Sequence, residues 1–493
     1  MYRHNEKQLV LDFDLPFGGK LSPDNRWIKL AHLIPWEEFE GEYQKKLSRV
    51  GQGPPAMSAR MALATLIIKE RLQINDRECV EQIRENPYLQ YFCGMKAFSE
   101  KRPFDSSMLV HFRKRFSADI ICRINDTITK RAIVSPTPSK TKNDNDDSDD
   151  GPGSPNQGKL LIDATCTPAD VSFPTDLKLV NKAREKTERI IDILHDAREG
   201  KSVKPRTYRH IARKEYLSAS KSKRLNASKR RRIQRLQLGY LKRNLSSIDA
   251  LTREVSLSIL PSRMYRELLV INELYRQQQL MFDRRIQRVD DRIVSISQPH
   301  VRPIKRGKTG RDTEFGAKLS ASLVKGYAFV DRISWNNFNE NQDLQGQIEA
   351  YKGRFGCYPE SVHADQIYKT RDNRKFCKKR GIRLSGPPLG RPPKETSKNA
   401  IDLKARALQA RQDELDRIPI EGKFGQGKRR FSIGRIMTKL ASTSETTIAI
   451  CFLVMNLEKW LKAIFICLFF KKQIWKLTDI FFRSRRRVNP GWC

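Results

Sequence analysis

Apolar side chains recur through the first 134 residues at the spacing of short amphipathic helices. Between Met57 and Leu72 they fall at Met61, Leu63, Ala64, Ile67, Ile68 and Leu72, close to a 3.6-residue period, which predicts a helix. Asn75 and Asp76 open a second helix, with Cys79, Val80 and Ile83 along one side. Asp105, Ser106 and Ser107 offer N-cap oxygens to a third, which carries Leu109, Phe112 and Phe116 with Arg113, Lys114 and Arg115 around them. Short helices closing on a basic face are compatible with a helix-turn-helix DNA reader, and equally with a helical packing or dimerisation module.

The pattern breaks at residues 135–158, a Pro/Gly/Ser/Asp-rich stretch with five Asp between Asp144 and Asp150. It cannot bury a core and reads as an acidic, disordered linker. Residues 159–174 follow as a first strand, an apolar run closing on Asp163. From 175 to 300 the chain turns helical and basic: between Lys201 and Leu245 stand 16 Lys or Arg and one acid, Glu215. Met264, Leu268, Ile271, Tyr275, Phe282, Ile286, Val289 and Ile293 trace a helix-packing seam through 293. Residues 301–462 change period. Lys325-Gly326-Tyr327 between two alternating runs predicts a hairpin, 341–351 a helix, 361–368 a strand ending at Asp365, and 381–388 another strand. Residues 400–416 and 442–462 read as helices, and 463–493 as a basic C-terminal tail. Strands interleaved with helices after a hairpin predict an α/β core with a large helical insertion, preceded by an all-helical N-terminal domain over 1–134.

Charge narrows the class of partner. The 493 residues hold 95 Lys and Arg against 56 Asp and Glu, a formal +39. That excess disfavours small-metabolite enzymes and favours a polyanion, nucleic acid before an acidic membrane surface. The longest apolar runs, Ile448–Met455 and Ala463–Phe470, are too short to span a bilayer, and MYRHNEKQLV has no apolar signal region, so a cytoplasmic protein is expected. The nine cysteines form no CxxC pair and read as reduced, buried thiols.

Candidate chemistry rests on carboxylates. Asp163 and Asp365 each stand where a predicted strand gives way to a loop, so rigid backbone would aim an exposed side chain. Two such Asp with one Glu from a packed helix suit hard divalent cations, which prefer oxygen ligands. A strand-end Asp is also a common cap or turn former. His363, two residues before Asp365, reads as a satisfied strand histidine and not as a base. Around RIPIEGKFGQGKRR, Arg417, Glu421 and Lys428 have the spacing R-x3-E-x6-K. On one helix these offsets align the three within about 40°. Pro419 and Gly422, Gly425 and Gly427 weaken the segment as a helix.

With that spacing the chain resembles the DDE transposases of bacterial insertion sequences, in the group marked by Y-x2-R-x3-E-x6-K. LLIDATCTPADVSFPTDLKLVNKAREKTE is similar to that family's first-Asp segment, VHADQIYKTRDNRKFCKKRGI to its second, and IEGKFGQGKRRF with TSETTIAICFLVMNLEKW to its Glu segment and closing helix. GKLSPDNRWIKLAHLIPW and DSSMLVHFRKRF resemble its N-terminal domain. The resemblance implies a ribonuclease H-like core with Asp163, Asp365 and Glu421 as catalytic ligands for two Mg²⁺, with Mn²⁺ able to substitute. It also implies that Arg417 and Lys428 contact DNA near the scissile phosphate. Glu414 stands at the signature's Tyr position. The implied reaction is cleavage at terminal inverted repeats and transfer of the freed 3′ hydroxyl to target DNA, by a homodimer assembled on DNA in a bacterial nucleoid. Nonspecific phosphate contact falls to Arg230, Arg231 and Arg232 of the insertion, and to Arg113, Lys114 and Arg115. A catalytically inactive DNA-binding relative and a ribonuclease H-like nuclease without strand joining are the competing readings.

Overall fold

The computed structural model describes residues 13–15, 19–47, 55–134, 156–198, 203–222, 224, 226–305, 313–386 and 400–486. Most of the expected acidic linker, 135–155, lies outside the described residues, as does Cys493.

The N-terminal block contains α1 (Arg26–Leu33), α2 (Trp36–Gln44), α3 (Ala59–Leu72), α4 (Asp76–Glu85), α5 (Pro87–Phe92), α6 (Met108–Arg115) and α7 (Ala118–Val134). Side-chain oxygens start several of them: Ser58 accepts from the Met61 amide and Asn75 from the Glu78 amide. The expected cap of α6 falls one turn early, because the Asp105 carboxylate accepts from the Ser107 amide ahead of the helix. Helix α3 is rich in Ala, Leu and Ile and is buried almost all round.

The mixed sheet is built from β1 (Lys159–Pro168), β2 (Arg302–Lys305), β3 (Thr313–Val324), β4 (Tyr327–Ser334), β5 (Ser361–His363) and β6 (Arg383–Leu384). Its order is β2-β3-β1-β5-β6, and β4 joins the same edge of β3 as β2, farther along the strand. β1 runs antiparallel to β3 and parallel to β5, and β5 is parallel to β6. The predicted hairpin is present between β3 and β4. Its turn residues Lys325 and Gly326 have φ of 48° and 79°, the left-handed pair a two-residue hairpin needs.

Between β1 and β2 the chain leaves the sheet to form α8 (Asp176–Asp196), α9 (Arg209–Lys221), α10 (Ala227–Leu251) and α11 (Ser262–Arg284). These helices close their own core around Val180, Ile191, Leu241, Ile248 and Ile271. The seam expected through 293 stops sooner. Arg285 adopts φ 54° and ends α11, so Ile286, Val289 and Ile293 lie beyond the helix, where Ile293 still packs into the same core. No Gly or Pro marks that stop in the sequence.

Helices α12 (Leu344–Phe355) and α13 (Arg371–Lys379) pack with β5 and β6, followed by α14 (Ala400–Arg430) and α15 (Ala441–Arg486). Two sequence expectations change here. α15 continues to Arg486, so residues 463–486 extend a helix and are not a separate tail. Helix α14 runs unbroken through Pro419, which costs about 3 kcal/mol in a helix interior. Burial of Ile420, Phe424 and Gly427 offsets that cost. A Cβ on Gly427 would stand 2.8 Å from the Ile433 side chain, so glycine here is a packing requirement.

The buried run Ile448–Met455 of α15 places its apolar side chains against α3, α6, α7 and β4. One contiguous core thus includes Leu63 and Phe112 of the N-terminal block, Leu319 of β3 and Val454 of α15. The N-terminal helices are therefore part of the frame that supports the sheet.

Candidate functional site: a three-carboxylate pocket

The register of two parallel strands brings the predicted acids together. β1 pairs with β5 as Lys159 with Ser361, Leu160 with Val362 and Leu161 with His363. Continued by two residues, that offset sets Asp163 beside Asp365, and the two-residue period of a strand turns both to one face. The expectation that β1 ends near Asp163 is corrected. β3 pairs with β1 as far as Pro168, so Asp163 is held at mid-strand by a full ladder. Asp365 does lie just past its strand. Its carboxylate accepts from the Gln366 amide at 2.7 Å and opens the short 3-10 turn Gln366–Tyr368.

Glu421 comes from α14, and two ion pairs fix where that helix lies. Asp416 takes Lys159 of β1 at 2.6 Å, and Asp413 takes the Arg383 guanidinium of β6 through two bonds of 2.9 Å. Beyond the helix, the Ile436 amide donates to the Pro168 carbonyl, tying the segment after α14 to the end of β1. Asp163, Asp365, Glu421, Arg417 and Lys428 consequently line one open pocket of about 860 Å³. Arg417 is paired with Glu421 at 3.0 Å. Glu414, at the signature's Tyr position, is exposed on the same helix.

The pocket contains a carboxylate that the sequence reading missed. Glu340 sits in the loop after β4, also lines the cavity, and is paired with Lys318 at 2.9 Å. No spacing motif marks it; only the course of β3 and β4 carries it there. Asp163 is pushed up to about 6, first by burial and then by the charges of Glu340 and Glu421, against the Ala164 amide and Arg417. An acid disfavoured in its charged form by neighbouring acids is the setting in which a divalent cation relieves repulsion. All the donors are carboxylate oxygens, so the residues present fit Mg²⁺ or Mn²⁺.

A second group, His363, Asp413 and Asp416, has donor atoms within 4.8 Å of one another but does not fit a metal. Asp413 already takes Arg383, Gln409 and the Gly386 amide, while Asp416 takes Lys159 and Gln412. Arg383 and Lys159 supply the positive charge a cation would bring. His363 is fully buried, its Nε2 lies 3.1 Å from the Ser361 hydroxyl, and burial lowers its pKa, so it stays neutral within the strap that holds α14 to the sheet.

The expected DNA-contacting cations have varied settings. Arg113 is corrected: it is buried and forks onto Asp76 at 2.6 and 3.1 Å, which ties α6 to the start of α4 and withdraws it from the surface. Arg115 donates to the Tyr43 hydroxyl at 3.0 Å, and Lys114 is exposed. On α10, Arg230 and Arg232 are exposed, while Arg231 stacks on the Phe282 ring at 4.2 Å. The eight described cysteines are all free thiols, five of them buried.

The fold and pocket define an α/β protein with clustered acids in a strongly basic chain, and comparison with known proteins adds two partial likenesses. Residues 362–458 match the model of a transposase DDE domain, and residues 16–115 match that of a transposase domain (DUF772). Both matches bear out the resemblance to DDE transposases. The first spans Asp365 and Glu421. The chain is also 26% identical over 163 residues to an uncharacterized protein, ORF8 in the nfe locus of Rhizobium meliloti, covering 33% of this chain and 71% of that one. No solved structure matches it. Among the described residues no helix is long and apolar enough to cross a membrane.

Proposed function

We propose that the chain is an insertion-sequence transposase in which Asp163, Asp365 and Glu421 hold divalent metal ions for DNA end cleavage and strand transfer. The observation that carries this is the β1–β5 register, which puts two acids 202 positions apart side by side beneath a helix supplying the third. A ribonuclease H-like core is supported by the sheet itself: β4, β3 and β1 form an antiparallel series, and β5 and β6 continue it in parallel. The same reading makes 1–134 a transposase domain, 175–300 a helical insertion and 135–158 the linker between halves.

Within this site the chain's own groups have separable tasks. Asp163 is fixed by the strand ladder and its own Ala164 amide, and Asp365 by the turn it opens, so both present oxygens with little freedom to lose. Arg417 and Lys428 flank Glu421 and bind the oxygens of the phosphate being cut; Arg417 leaves Glu421 to do so. Asp163, Asp365 and Glu421 would hold Mg²⁺ or Mn²⁺, two ions by the family's pattern, which when bound would supply positive charge for activating water or a 3′ hydroxyl and for stabilising the departing oxygen. Exposed Arg230 and Arg232 and Lys114 add nonspecific phosphate contacts. The substrates are terminal inverted repeats and target DNA, and a homodimer assembled on DNA in the cytoplasm brings two ends together.

The test is a labelled duplex made from the DNA on either side of the reading frame, searched first for a short inverted repeat to serve as the end, and incubated with Mg²⁺ or Mn²⁺. Nicking followed by strand-joined product is expected, and Asp163→Asn, Asp365→Asn or Glu421→Gln should each reduce both by at least about a hundredfold. Nicking that survives all three substitutions refutes the site. Cleavage without joining makes the protein a nuclease.

A further inference from the structure

The loop that follows β1 leads into a second basic feature on the catalytic side of the insertion. A cleft of about 300 Å³ opens where α8 leaves the sheet, lined by Lys178, Lys182, Lys186, Arg189 and Arg263 against only two acids, Asp170 and Glu185. Lys178, Lys182 and Lys186 recur every fourth residue and Arg189 three later, so they form one row rising about 6 Å per step along the helix. The opposite face of α8 is committed to the insertion core through Val180, Ala183, Ile190, Ile191 and Leu194.

The row has more positive charge than the protein uses. Lys186 and Arg263 share Glu267, at 2.5 and 3.2 Å. Asp170, the acid at the cleft's inner end, is already neutralised by Arg435 and Lys439. Lys182 reaches only the Ser172 hydroxyl, and Lys178 and Arg189 make no ion pair among the described residues. Burial and the charges of Lys178 and Lys186 lower the pKa of Lys182 against the opposing charge of Glu185, which itself accepts from Asn181. A folded chain gains nothing by lining up like charges; a polyanion laid along them does.

We propose that this α8 cleft seats the phosphodiester backbone of duplex DNA whose neighbouring segment lies in the carboxylate pocket. The assignment rests on the transposase reading for the second half of that statement. β1 runs extended from Asp163 to Pro168 and Asp170 follows two residues later, so the inner end of the cleft lies within about 20 Å of Asp163, at most on the order of six base pairs. One duplex therefore spans both. The surface differs from the α10 arginines expected from the sequence, because only α8 grows directly from the strand bearing Asp163.

The experiment is fluorescence anisotropy of the full chain with a labelled duplex of about 40 base pairs and arbitrary sequence, titrated at several salt concentrations. The unaltered protein should show a steep linear fall of log affinity with log salt. The triple variant Lys178→Gln, Lys182→Gln, Arg189→Gln should lose about two to three units of that slope. A charge-matched control, Lys375→Gln, Lys378→Gln, Lys379→Gln on the exposed face of α13, should change it by less than about one. The single Lys182→Gln variant, with an unchanged thermal melt, should lose about one unit and guards against a folding defect in the triple variant. Equal slopes in the triple variant and the parent, or an equal loss in the control, overturn the cleft and leave the transposase reading standing. An unaltered protein that binds duplex DNA without salt dependence sinks both.

Discussion

Removing the Glu70 carboxylate tests whether the N-terminal helices hold the catalytic helix in place. Glu70 lies on α3, only 3% exposed, and accepts from the Ser432 amide at 2.7 Å, the Ser432 hydroxyl at 2.8 Å and the Cys451 thiol at 3.0 Å. Ser432 begins the turn that ends α14, and Cys451 is on α15, so one carboxylate joins three elements far apart in sequence. In Glu70→Ala the hydroxyl and thiol can rotate to other acceptors, but the Ser432 amide cannot. A buried donor left unpaired costs about 1–3 kcal/mol, and hydrogen bonds to a charged acceptor lie at the upper end. Ser432 is half-buried, which lets water recover part of the loss, so we expect about 1–3 kcal/mol. Urea denaturation measures the total. A double-mutant cycle with Ser432→Ala isolates the side-chain part and should return a coupling above about 0.5 kcal/mol. Hydrogen exchange at the Ser432 amide should accelerate as well. A loss below about 0.5 kcal/mol with unchanged exchange refutes the latch.

Other outcomes follow from the same structure. His300 packs edge-on to Trp335 at 4.3 Å, and burial with the Arg302 charge lowers its pKa from 6.5 to about 4. The folded chain keeps it neutral, so its contribution is present above pH 6.5 and is lost as pH falls toward 4. Discounted for partial exposure the change is about 1 kcal/mol, and His300→Gln should flatten the pH dependence of unfolding in that window; parallel curves argue against it. Gly427→Ala meets Ile433 at 2.8 Å and should cost about 1–3 kcal/mol in a melt, while Gly422→Ala, which meets nothing within 4 Å, should be neutral or stabilising. Mn²⁺ at a hundred times its Kd should stabilise the protein by about 2.7 kcal/mol in thermal unfolding and leave Asp163→Asn unmoved; an equal shift in both moves the metal elsewhere. Cys451, whose pKa burial and Glu70 raise well above that of a free thiol, should resist a thiol reagent until the chain unfolds.

The sequence by itself determined what local patterning can encode. The helices at 59–72 and 76–85, the hairpin at Lys325-Gly326 and the helical character of the insertion follow from apolar period, side-chain caps and a turn needing two positive φ values. Glu421 is singled out by the resemblance of its R-x3-E-x6-K spacing to a family signature, since local period alone weakens a helix around Pro419. Where reading stopped at the wrong residue, a distant partner had decided. β1 runs past Asp163 because β3 pairs with it, and α14 passes Pro419 because Ile420, Phe424 and Gly427 find a buried surface. Arg113 looks like a surface cation until Asp76, on another helix, receives it. Only the tertiary structure put Glu340 in the pocket, since the return of the loop after β4 toward Lys318 of β3 leaves no periodic trace. It also decided which of many basic residues lack partners, because compensation by Glu267, Asp170 or Phe282 depends on who lies across the gap and not on neighbours in the chain. Local period fixes which way a side chain faces; long-range pairing fixes what it meets there.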